Sequence, residues 1–406
     1  MKVTLIGLGM GDQATLTWEG RQALEAADMV IGAQRLLDSL PEGVTANRRA
    51  LIQPQAILDC VISQPGDGEI CVVFSGDIGF YSGAKKLRPL LAAAGIETAS
   101  RCGVTTAQYL AARLGISWQD LCLVSAHGGS PDVLAHVLNH EKCFFLTGGE
   151  VTPGSICREL SEAGLGETEV VVGERLSYAE EKIVRGSAAE LAGREFHSLA
   201  ALITQRRAPV FCWPSQCPGI PDEEFIRGRT PMTKREIRCQ ILSLLALKGD
   251  AVAWDVGAGT GSVSVEMALR ARWGRVYAVE EDQEANGLIL ANRKKFGVYN
   301  LVSVEGRAPA ALAELPAPQA VFIGGSKGEM KEIMAAALAK NPRARIVVSA
   351  IMLETARAAA AAMAELGVGE PELCQLAVSR AERLGQGHYL KSLNPIFLLS
   401  GGGGHD

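Results

Sequence analysis

Short apolar runs alternate with longer Ala- and Leu-rich stretches through the first half of the chain. A run of four to eight apolar residues bounded by glycine or polar residues predicts a buried strand, and the Ala/Leu-rich stretches predict helices. Strands that alternate with helices are typical of an α/β fold. Six strands are predicted in this half, over residues 3–7, 29–32, 70–74, 121–125, 143–146 and 170–172.

The alternation breaks between Thr204 and Glu224, where four prolines interrupt the chain and neither the strand period nor the helix period holds. A second alternation then begins with a predicted helix over 234–247 and a strand over 251–256. A chain of 406 residues exceeds an ordinary single core. We therefore predict a first domain, a linker, a second domain and a glycine-rich disordered tail, over residues 1–205, 206–224, 225–400 and 401–406.

Composition restricts the class of protein. No apolar run approaches the roughly 18 residues of a membrane span, and the first residues lack the long apolar core of a signal peptide. The ten cysteines include no CxxC pair, which favours reduced thiols in a cytoplasmic protein and predicts no metal site. A net charge of −5 disfavours a nucleic-acid partner held through phosphates.

A glycine-rich turn follows the strand predicted over 251–256. It reads Gly257-Ala258-Gly259-Thr260-Gly261 and leads directly into a helix over 262–270. Glycines there permit positive φ, and the free amides at the helix start suit an anionic group. Nineteen residues after Gly261, a strand ends in Glu280, whose side chain can accept hydrogen bonds from ribose hydroxyls. The spacing predicts a nucleotide-like ligand.

NAD and S-adenosylmethionine both match this spacing, so the form of the turn decides between them. A dinucleotide site has GxGxxG, whereas GxGxG preceded by an acid, here Asp255, favours S-adenosylmethionine. Two further strands, over 301–305 and 320–323, end in small-residue turns that contain Ala308 and Lys327. Such strand ends border the crevice in which open parallel sheets bind ligands.

The first domain has its own set of turns. Gly7 and Gly9 follow the first strand, but no acidic strand end stands about 20 residues on, so this is not a second copy of the other domain. Three more small-residue turns follow strands, over 75–80, 103–106 and 146–150. Each alone is typical of a turn before an N-capped helix. Together they predict that the backbone of these turns borders one ligand-binding cleft.

Motifs along both domains resemble those of known families. IGLGMGD, FSGDIGFYSGAKKL, GVTTAQYLAARLGISWQD, SAHGG and LTGGEVTPGSICREL, in this order over residues 1–205, resemble the tetrapyrrole methylase family. From PGIPDEEFIRG onward, TPMTKREIRC, DVGAGTGSVSVEMA, FIGGSKGEM and SAIMLETARAA resemble the family that methylates C15 of corrin precursors and decarboxylates them. The fused arrangement is similar to the C5,15-methylating, decarboxylating precorrin methyltransferases of cobalamin biosynthesis.

The resemblance implies a two-lobed tetrapyrrole methylase fold followed by a Rossmann-like class I methyltransferase fold. It implies methylation of precorrin-6Y at C5 by the first domain, and C15 methylation with decarboxylation of the ring C acetate by the second, giving precorrin-8. It also implies two S-adenosylmethionine sites. The site in the second domain would use Thr233, Gly257, Ala258, Gly259, Thr260, Gly261, Glu280 and Ala308. The site in the first would use Gly7, Gly9, Ser75, Gly76, Asp77, Phe80, Thr105 and Thr106.

The sequence departs from the family pattern twice. Met10 stands where the first loop usually has proline, which predicts a less rigid turn. Arg307 stands where an acid is common, so only the contact of Ala308 is carried over.

No catalytic side chain is identified. The implied substrate carries several carboxylates, so basic residues are candidates to clamp it: Arg227, Arg229, Lys327, Arg380 and Arg383. Each is equally consistent with an exposed basic residue. His127 and His388 are candidates for substrate contact or proton transfer, or for solvated or capping roles. Surface positions are predicted for His136, His140, His197 and His405.

Three alternatives stay open. The substrate could contain cobalt, although the fused form favours the metal-free, oxygen-dependent route by resemblance. The chain could be a different S-adenosylmethionine-dependent enzyme acting on a small molecule or RNA, or a binding protein that keeps the pockets without turnover. We predict a homo-oligomer with a tetrapyrrole substrate and with neither a nucleic-acid nor a membrane partner.

Overall fold

The computed structural model describes residues 2–66, 68–127, 129, 131–206, 210, 211, 213 and 217–403. The chain divides into two compact units. The first comprises residues 1–133 and 140–206, and the second comprises residues 134–139 and 207–406. Both units are built from helices and sheets that contain parallel strands, which confirms the predicted α/β class.

The first sheet of the first unit is wholly parallel. Its strand order is β3-β2-β4-β1-β5, which places β4 and β1 at the centre. The central strands are apolar and buried, whereas the edge strand β3 is exposed along its whole length. The five strands are β1 (Lys2–Gly7), β2 (Met29–Gly32), β3 (Asn47–Ala50), β4 (Glu69–Phe74) and β5 (Glu97–Arg101).

The second sheet of this unit is mixed, with the order β6-β7-β10-β8-β9. β6 and β7 are parallel and the other pairs are antiparallel. The strands are β6 (Cys122–Ser125), β7 (Lys142–Leu146), β8 (Glu169–Glu174), β9 (Lys182–Ser187) and β10 (Ala200–Gln205). The helices up to residue 206 are α1 (Trp18–Glu25), α2 (Gln34–Asp38), α3 (Pro54–Ile62), α4 (Ala84–Ala93), α5 (Thr106–Leu114), α6 (Val133–Asn139), α7 (Pro153–Leu160) and α8 (Ala188–Leu191).

The second unit has a seven-stranded sheet with the order β13-β12-β11-β14-β15-β19-β16. The first five strands in this order are parallel, and β19 is antiparallel to β15 and β16. β17 and β18 form a separate antiparallel hairpin. The strands are β11 (Val252–Val256), β12 (Arg275–Glu280), β13 (Leu301–Glu305), β14 (Ala320–Ile323), β15 (Arg345–Ala350), β16 (Glu372–Leu376), β17 (Ser379–Leu384), β18 (Gly387–Ser392) and β19 (Ile396–Gly401).

Helices cover both faces of this sheet, as the apolar strands require. One apolar core contains Ile241 and Val265, and the other contains Ile333 and Met363. The helices are α9 (Arg235–Leu245), α10 (Ser262–Arg270), α11 (Gln283–Phe296), α12 (Met330–Lys340) and α13 (Leu353–Glu365). Sheet order reverses between β11 and β14, which is where open parallel sheets form a ligand crevice.

The structure corrects the predicted limits of the linker and the tail. Gly401 ends β19, and the carbonyl of Gly402 accepts a hydrogen bond from Arg345, so the predicted tail does not begin at Gly401. Within the predicted linker, Ile220 and Asp222 are buried in the second unit. Parts of the linker, and residues 404–406 of the tail, lie outside the described residues. None of the described helices has the length and apolar character needed to cross a membrane.

Candidate functional site

A cavity of about 1000 Å³ lies at the carboxyl ends of β11 to β15. Parallel strands bring their carboxyl ends to one edge of the sheet, so turns that are far apart in the chain share this cavity. Most of the lining comes from residues 230–234, 255–260, 279–281, 306–308, 324–328 and 349–352. Every residue of the second domain that was predicted to bind S-adenosylmethionine, the methyl donor, lies in or next to these segments.

The glycine-rich turn forms one wall of the cavity. Gly257, Gly259 and Gly261 have φ values of +72°, +55° and +74°, a region that other residues rarely adopt. The Gly259 amide donates to Oε2 of Glu280 over 2.9 Å. Oε1 of Glu280 accepts the Glu281 amide, also over 2.9 Å. Glu280 therefore fixes the turn, and its carboxylate keeps lone pairs for a ribose hydroxyl.

The first and second glycines of this turn have different roles. A Cβ on Gly257 would lie 2.7 Å from the Gly325 amide nitrogen, so Gly257 lets two backbone turns touch. A Cβ on Gly259 would lie 3.4 Å from the Pro231 carbonyl oxygen, which is ordinary contact. Gly259 therefore has room beside it and faces the segment that precedes α9.

Two buried polar atoms on the cavity wall have no hydrogen-bond partner among the residues that the structure describes. They are Oδ1 of Asp255 and the hydroxyl of Thr260. Oδ2 of Asp255 accepts a hydrogen bond from the Ser264 hydroxyl. Burial raises the pKa of Asp255 to about 7, and the nearby Glu280 charge adds to the rise. Unpaired buried polar groups are costly, so they indicate a polar ligand here.

This wall fits S-adenosylmethionine. The free amides at the start of α10 suit its carboxylate, Glu280 can accept from its ribose hydroxyls, and Asp255 and Thr260 offer unpaired polar atoms. Ala308, in the turn that follows β13, is buried and also lines the cavity.

Glycines in the first unit serve mainly to bring backbones together. A Cβ on Gly7 would lie 2.5 Å from the Gly76 carbonyl oxygen, and a Cβ on Gly103 would lie 2.3 Å from the same atom. Gly9 and Gly76 also exchange two backbone hydrogen bonds, of 3.1 and 2.7 Å. The ends of β1 and β4 and the turn after β5 therefore meet at glycines. A residue with a side chain in place of Gly7 or Gly103 would clash with the backbone.

Side chains predicted to bind the donor in the first unit are largely used within the protein. Asp77 accepts the Gly79 amide over 2.7 Å and the Gly103 amide over 2.9 Å. Thr105 caps α5 in a capping box with Gln108. Thr106 is the first residue of that helix, Phe80 packs against Phe144, and Ser75 is exposed. Their role in holding a donor stays a prediction.

The turn at Met10 is held by two hydrogen bonds. The Met10 amide donates to the Thr15 hydroxyl over 2.9 Å, and its carbonyl accepts the Ser177 hydroxyl over 2.8 Å. A proline could not make the first bond, because it has no amide hydrogen. The turn that was expected to be less rigid is therefore fixed by side chains.

Comparisons with known proteins cover both halves of the chain. Residues 2–192 match the model of the Tetrapyrrole (Corrin/Porphyrin) Methylases, and residues 224–400 match that of the Precorrin methyltransferase domain. A precorrin-6Y C(5,15)-methyltransferase [decarboxylating] of Sinorhizobium sp. is 30% identical over 352 residues, covering 86% of this chain and 84% of that protein. The chain belongs to the precorrin-6Y C(5,15)-methyltransferase family.

Two shorter relatives match one half only. A protein of Pyrobaculum calidifontis, named a probable cobalt-precorrin-6B C(15)-methyltransferase (decarboxylating), is 44% identical over 191 residues, covering 46% of this chain and 97% of its own length. A crystal structure of precorrin-6Y C5,15-methyltransferase from Geobacter metallireducens GS-15 is 35% identical, covers 46% of this chain and 98% of that chain, and has a TM-score of 0.44.

Membership in the precorrin-6Y C(5,15)-methyltransferase family confirms the predicted resemblance and fold class. It also confirms the predicted enzyme class, an S-adenosylmethionine-dependent C-methyltransferase of cobalamin biosynthesis.

The basic candidates for substrate clamping have different positions in this family member. Lys327 lines the cavity and pairs with Glu281. Arg380 pairs with Glu236 and Asp222, so its charge is already compensated. The three remaining arginines and one histidine are exposed and outside the cavity wall: Arg227, Arg229, Arg383 and His388.

His127, His136, His140 and His197 are not among the residues that line the cavity. His127 is exposed just beyond β6 in the first unit. His136, His140 and His197 are half-buried, so the predicted surface positions are only partly correct. His405 lies outside the described residues.

Sequence reasoning missed several residues of this site. Arg307, set aside as a departure from the pattern, lines the cavity and pairs with Glu329. Ile351 and Met352 line the cavity and are largely exposed. Arg238 is fully buried beneath the segment before α9. Arg238 lies on the same apolar face of α9 as Ile241 and Leu245, and an arginine at such a position is the signal that could have revealed it.

Proposed function

We propose that this chain methylates precorrin-6Y at C5 and C15 and decarboxylates the ring C acetate, giving precorrin-8. The observation that carries the proposal is the cavity of the second unit, with its glycine turn fixed by Glu280 and its unpaired atoms on Asp255 and Thr260. The family relationship over 86% of the chain supports the assignment of substrate and of two reactions.

Each unit is proposed to hold one S-adenosylmethionine. That molecule supplies an electrophilic methyl group when bound. A ring carbon of the macrocycle is the nucleophile, so the protein must chiefly align the two molecules, and alignment can supply about 7–11 kcal/mol of the barrier. Loss of carbon dioxide breaks a carbon–carbon bond, and the electron pair passes into the conjugated ring before a proton replaces the carboxylate.

The proposed roles in the second unit follow from position. The turn at Gly259 and the side chain of Glu280 hold the donor, and Thr233 and Ala308 border it. Lys327, at the mouth of the cavity, is proposed to contact a substrate carboxylate, exchanging its present partner Glu281. In the first unit, the turns at Gly9, Asp77 and Thr105 are proposed to border the second donor.

The full chain should be incubated with S-adenosylmethionine and either metal-free or cobalt-containing substrate. We expect two methyl groups to be added and one carbon dioxide released from the metal-free substrate, as measured by product mass. The name of the Pyrobaculum calidifontis relative favours the cobalt form as the second candidate. Turnover of the cobalt-containing substrate alone would favour that form as the natural substrate. If no methyl group were added to either substrate, both candidate functions would be refuted.

The number of donor sites, the homo-oligomeric state, the cytoplasmic location and the lack of nucleic-acid or membrane partners stay predictions. Light scattering on the purified full chain tests the oligomeric state, since a mass of one chain, 42.9 kDa, would contradict it.

A further inference from the structure

A fully buried arginine lies beneath the wall of the cavity in the second unit. Arg238, in α9, has no solvent exposure, and Glu266 in α10 is 2% exposed. Arg238 donates from Nε to Glu266 over 2.7 Å and from Nη1 to Asp222 over 2.8 Å. Its guanidinium also lies 4.7 Å from the ring centroid of Phe225. A buried charge of this kind requires such partners.

The same network binds the backbone of residues 219–233, here called the strap. At one end, Glu266 accepts the Gly219 amide over 2.6 Å and the Ile220 amide over 3.2 Å. At the other end, Arg238 donates to the Thr233 carbonyl over 2.5 Å. Arg238 also donates to the Ile220 carbonyl. One side chain therefore fixes both ends of the strap.

The strap in turn forms part of the cavity. Residues 230–233 of the strap line it, and the carbonyl of Pro231 faces Gly259 of the glycine turn. Arg380 secures the outer side of the network through Asp222, over 3.1 Å. Burial acts to raise the pKa of Asp222, but hydrogen bonds and charges from Arg238 and Arg380 outweigh it, so the pKa is lowered and the carboxylate stays charged.

We propose that Arg238 is a positioning residue for the donor cavity, holding the strap against the glycine turn through Glu266 and Asp222. The inference rests on the proposed function, because it assumes that this cavity binds S-adenosylmethionine. If the strap samples open arrangements once it is released, the affinity for the donor falls in proportion to the lost fraction of closed molecules.

The test uses the full chain and S-adenosylhomocysteine, the donor product, in calorimetric titrations. Removing Arg238 alone would leave the buried Glu266 without a cationic partner, and Asp222 with Arg380 alone. The main variant therefore combines Arg238→Met, Glu266→Gln and Asp222→Asn, which leaves no buried charge in this network. We expect the Kd of the second-unit site to rise by about tenfold and amide hydrogen exchange in residues 219–233 to accelerate. The second-unit site is the one abolished by Gly259→Arg.

Arg345→Met is the matched control. Arg345 is a partly buried arginine of the same unit that donates to the Leu244 carbonyl, the Gly402 carbonyl and the Ser400 hydroxyl, away from the cavity. The Arg345→Met substitution should lower the midpoint of thermal unfolding without changing the Kd of the second-unit site for S-adenosylhomocysteine, as a purely structural role predicts.

A second variant keeps the test decisive if the triple variant does not fold. Arg238→Lys retains the charge but not the planar fork, and we expect a smaller rise in Kd, of about threefold. Unchanged affinity and unchanged exchange in Arg238→Lys, or in a folded triple variant, would overturn the proposal. Absence of binding in the unsubstituted chain would instead refute the proposed function.

Discussion

The two glycine-rich turns that follow β1 and β11 look alike in sequence but are built differently. In the first unit, Gly7 is pressed against the Gly76 carbonyl, and the carboxylate of Asp77 is bound by two backbone amides. In the second, Gly259 has space beside it, and Asp255 keeps an unpaired oxygen at the cavity wall.

The difference shows that glycine after a strand has two distinct uses. At Gly7 it permits backbone to pack on backbone, so a side chain there would disturb the junction of three strand ends. At Gly259 it leaves room for a ligand, so a side chain there should block the site, with a local strain from the φ of +55° but no clash with packed backbone. Substitutions at the two turns should therefore separate the two reactions.

The largest effect is expected from Gly259→Arg. Its side chain would fill the cavity of the second unit, so C15 methylation and carbon dioxide release should fall by more than about 100-fold while C5 methylation persists. Product mass would show one added methyl group. Gly287→Arg is the control, because a Cβ on this exposed helical glycine would meet nothing within 4 Å. Loss of both methyl groups in Gly259→Arg would mean that the units do not act separately.

Asp77→Arg should have the converse effect. It removes the acceptor for the Gly79 and Gly103 amides, which costs about 2 kcal/mol of unfolding free energy and displaces the turns of the first unit. We expect C5 methylation to fall by about 100-fold, with C15 methylation retained, in the same mass assay. Asp59→Arg, on the exposed side of α3, controls for the charge change. Unchanged C5 methylation would place that donor site elsewhere.

The pH dependence of stability sharpens the contrast at Asp255. Its pKa is about 7 in the folded chain and about 3.9 in the unfolded chain. The folded chain therefore binds more protons between these values, and stability falls as pH rises through this window. Relative to Asp255→Asn, we expect the free energy of unfolding of the natural chain to decrease from about pH 4 to about pH 7.

Denaturant titrations of both proteins across this range provide the measurement. Asp250→Asn, an exposed aspartate of the same unit, controls for the loss of an acidic side chain. A difference between Asp255→Asn and the natural chain that did not vary with pH would show that the carboxyl is not desolvated.

The smallest effect is expected at the cavity mouth. Lys327→Gln removes the charge that we propose contacts a substrate carboxylate. An exposed ion pair is worth about 1 kcal/mol or less. The KM for the tetrapyrrole in C15 methylation should therefore rise up to about fivefold, with kcat nearly unchanged. Arg383→Gln, on the hairpin outside the cavity wall, should leave both constants unaltered. Equal effects of the two substitutions on KM would show that Lys327 has no specific role in binding the tetrapyrrole.

Much of the sheet around the site could be predicted from the sequence. β13 and β14 match their predicted bounds to the residue. β14 is a fully buried apolar run between turns, as expected of a strand inside a parallel sheet. β3, Asn47–Ala50, was missed because this exposed edge strand has no apolar pattern. β5, Glu97–Arg101, was missed because its residues are largely polar.

The site itself was only partly predictable. Glu280 and the glycine turn were found because strand ends converge at one edge of a parallel sheet. Arg380 was one of the candidates for binding a substrate carboxylate, and the structure pairs it with Asp222, 158 positions away. Contacts at such separation depend on how the chain folds back, and local spacing contains no information about them. The same holds for the strap, whose tether to Arg238 combines residues from three separate segments.

Calorimetric counting of donor sites tests the central claim most directly. With S-adenosylhomocysteine and the full chain, we predict two sites per chain, and one remaining site in Gly259→Arg. Two sites retained in Gly259→Arg would show that the cavity beside β11 does not bind the donor, and a single site in the unsubstituted chain would contradict the account of two unlike donor sites.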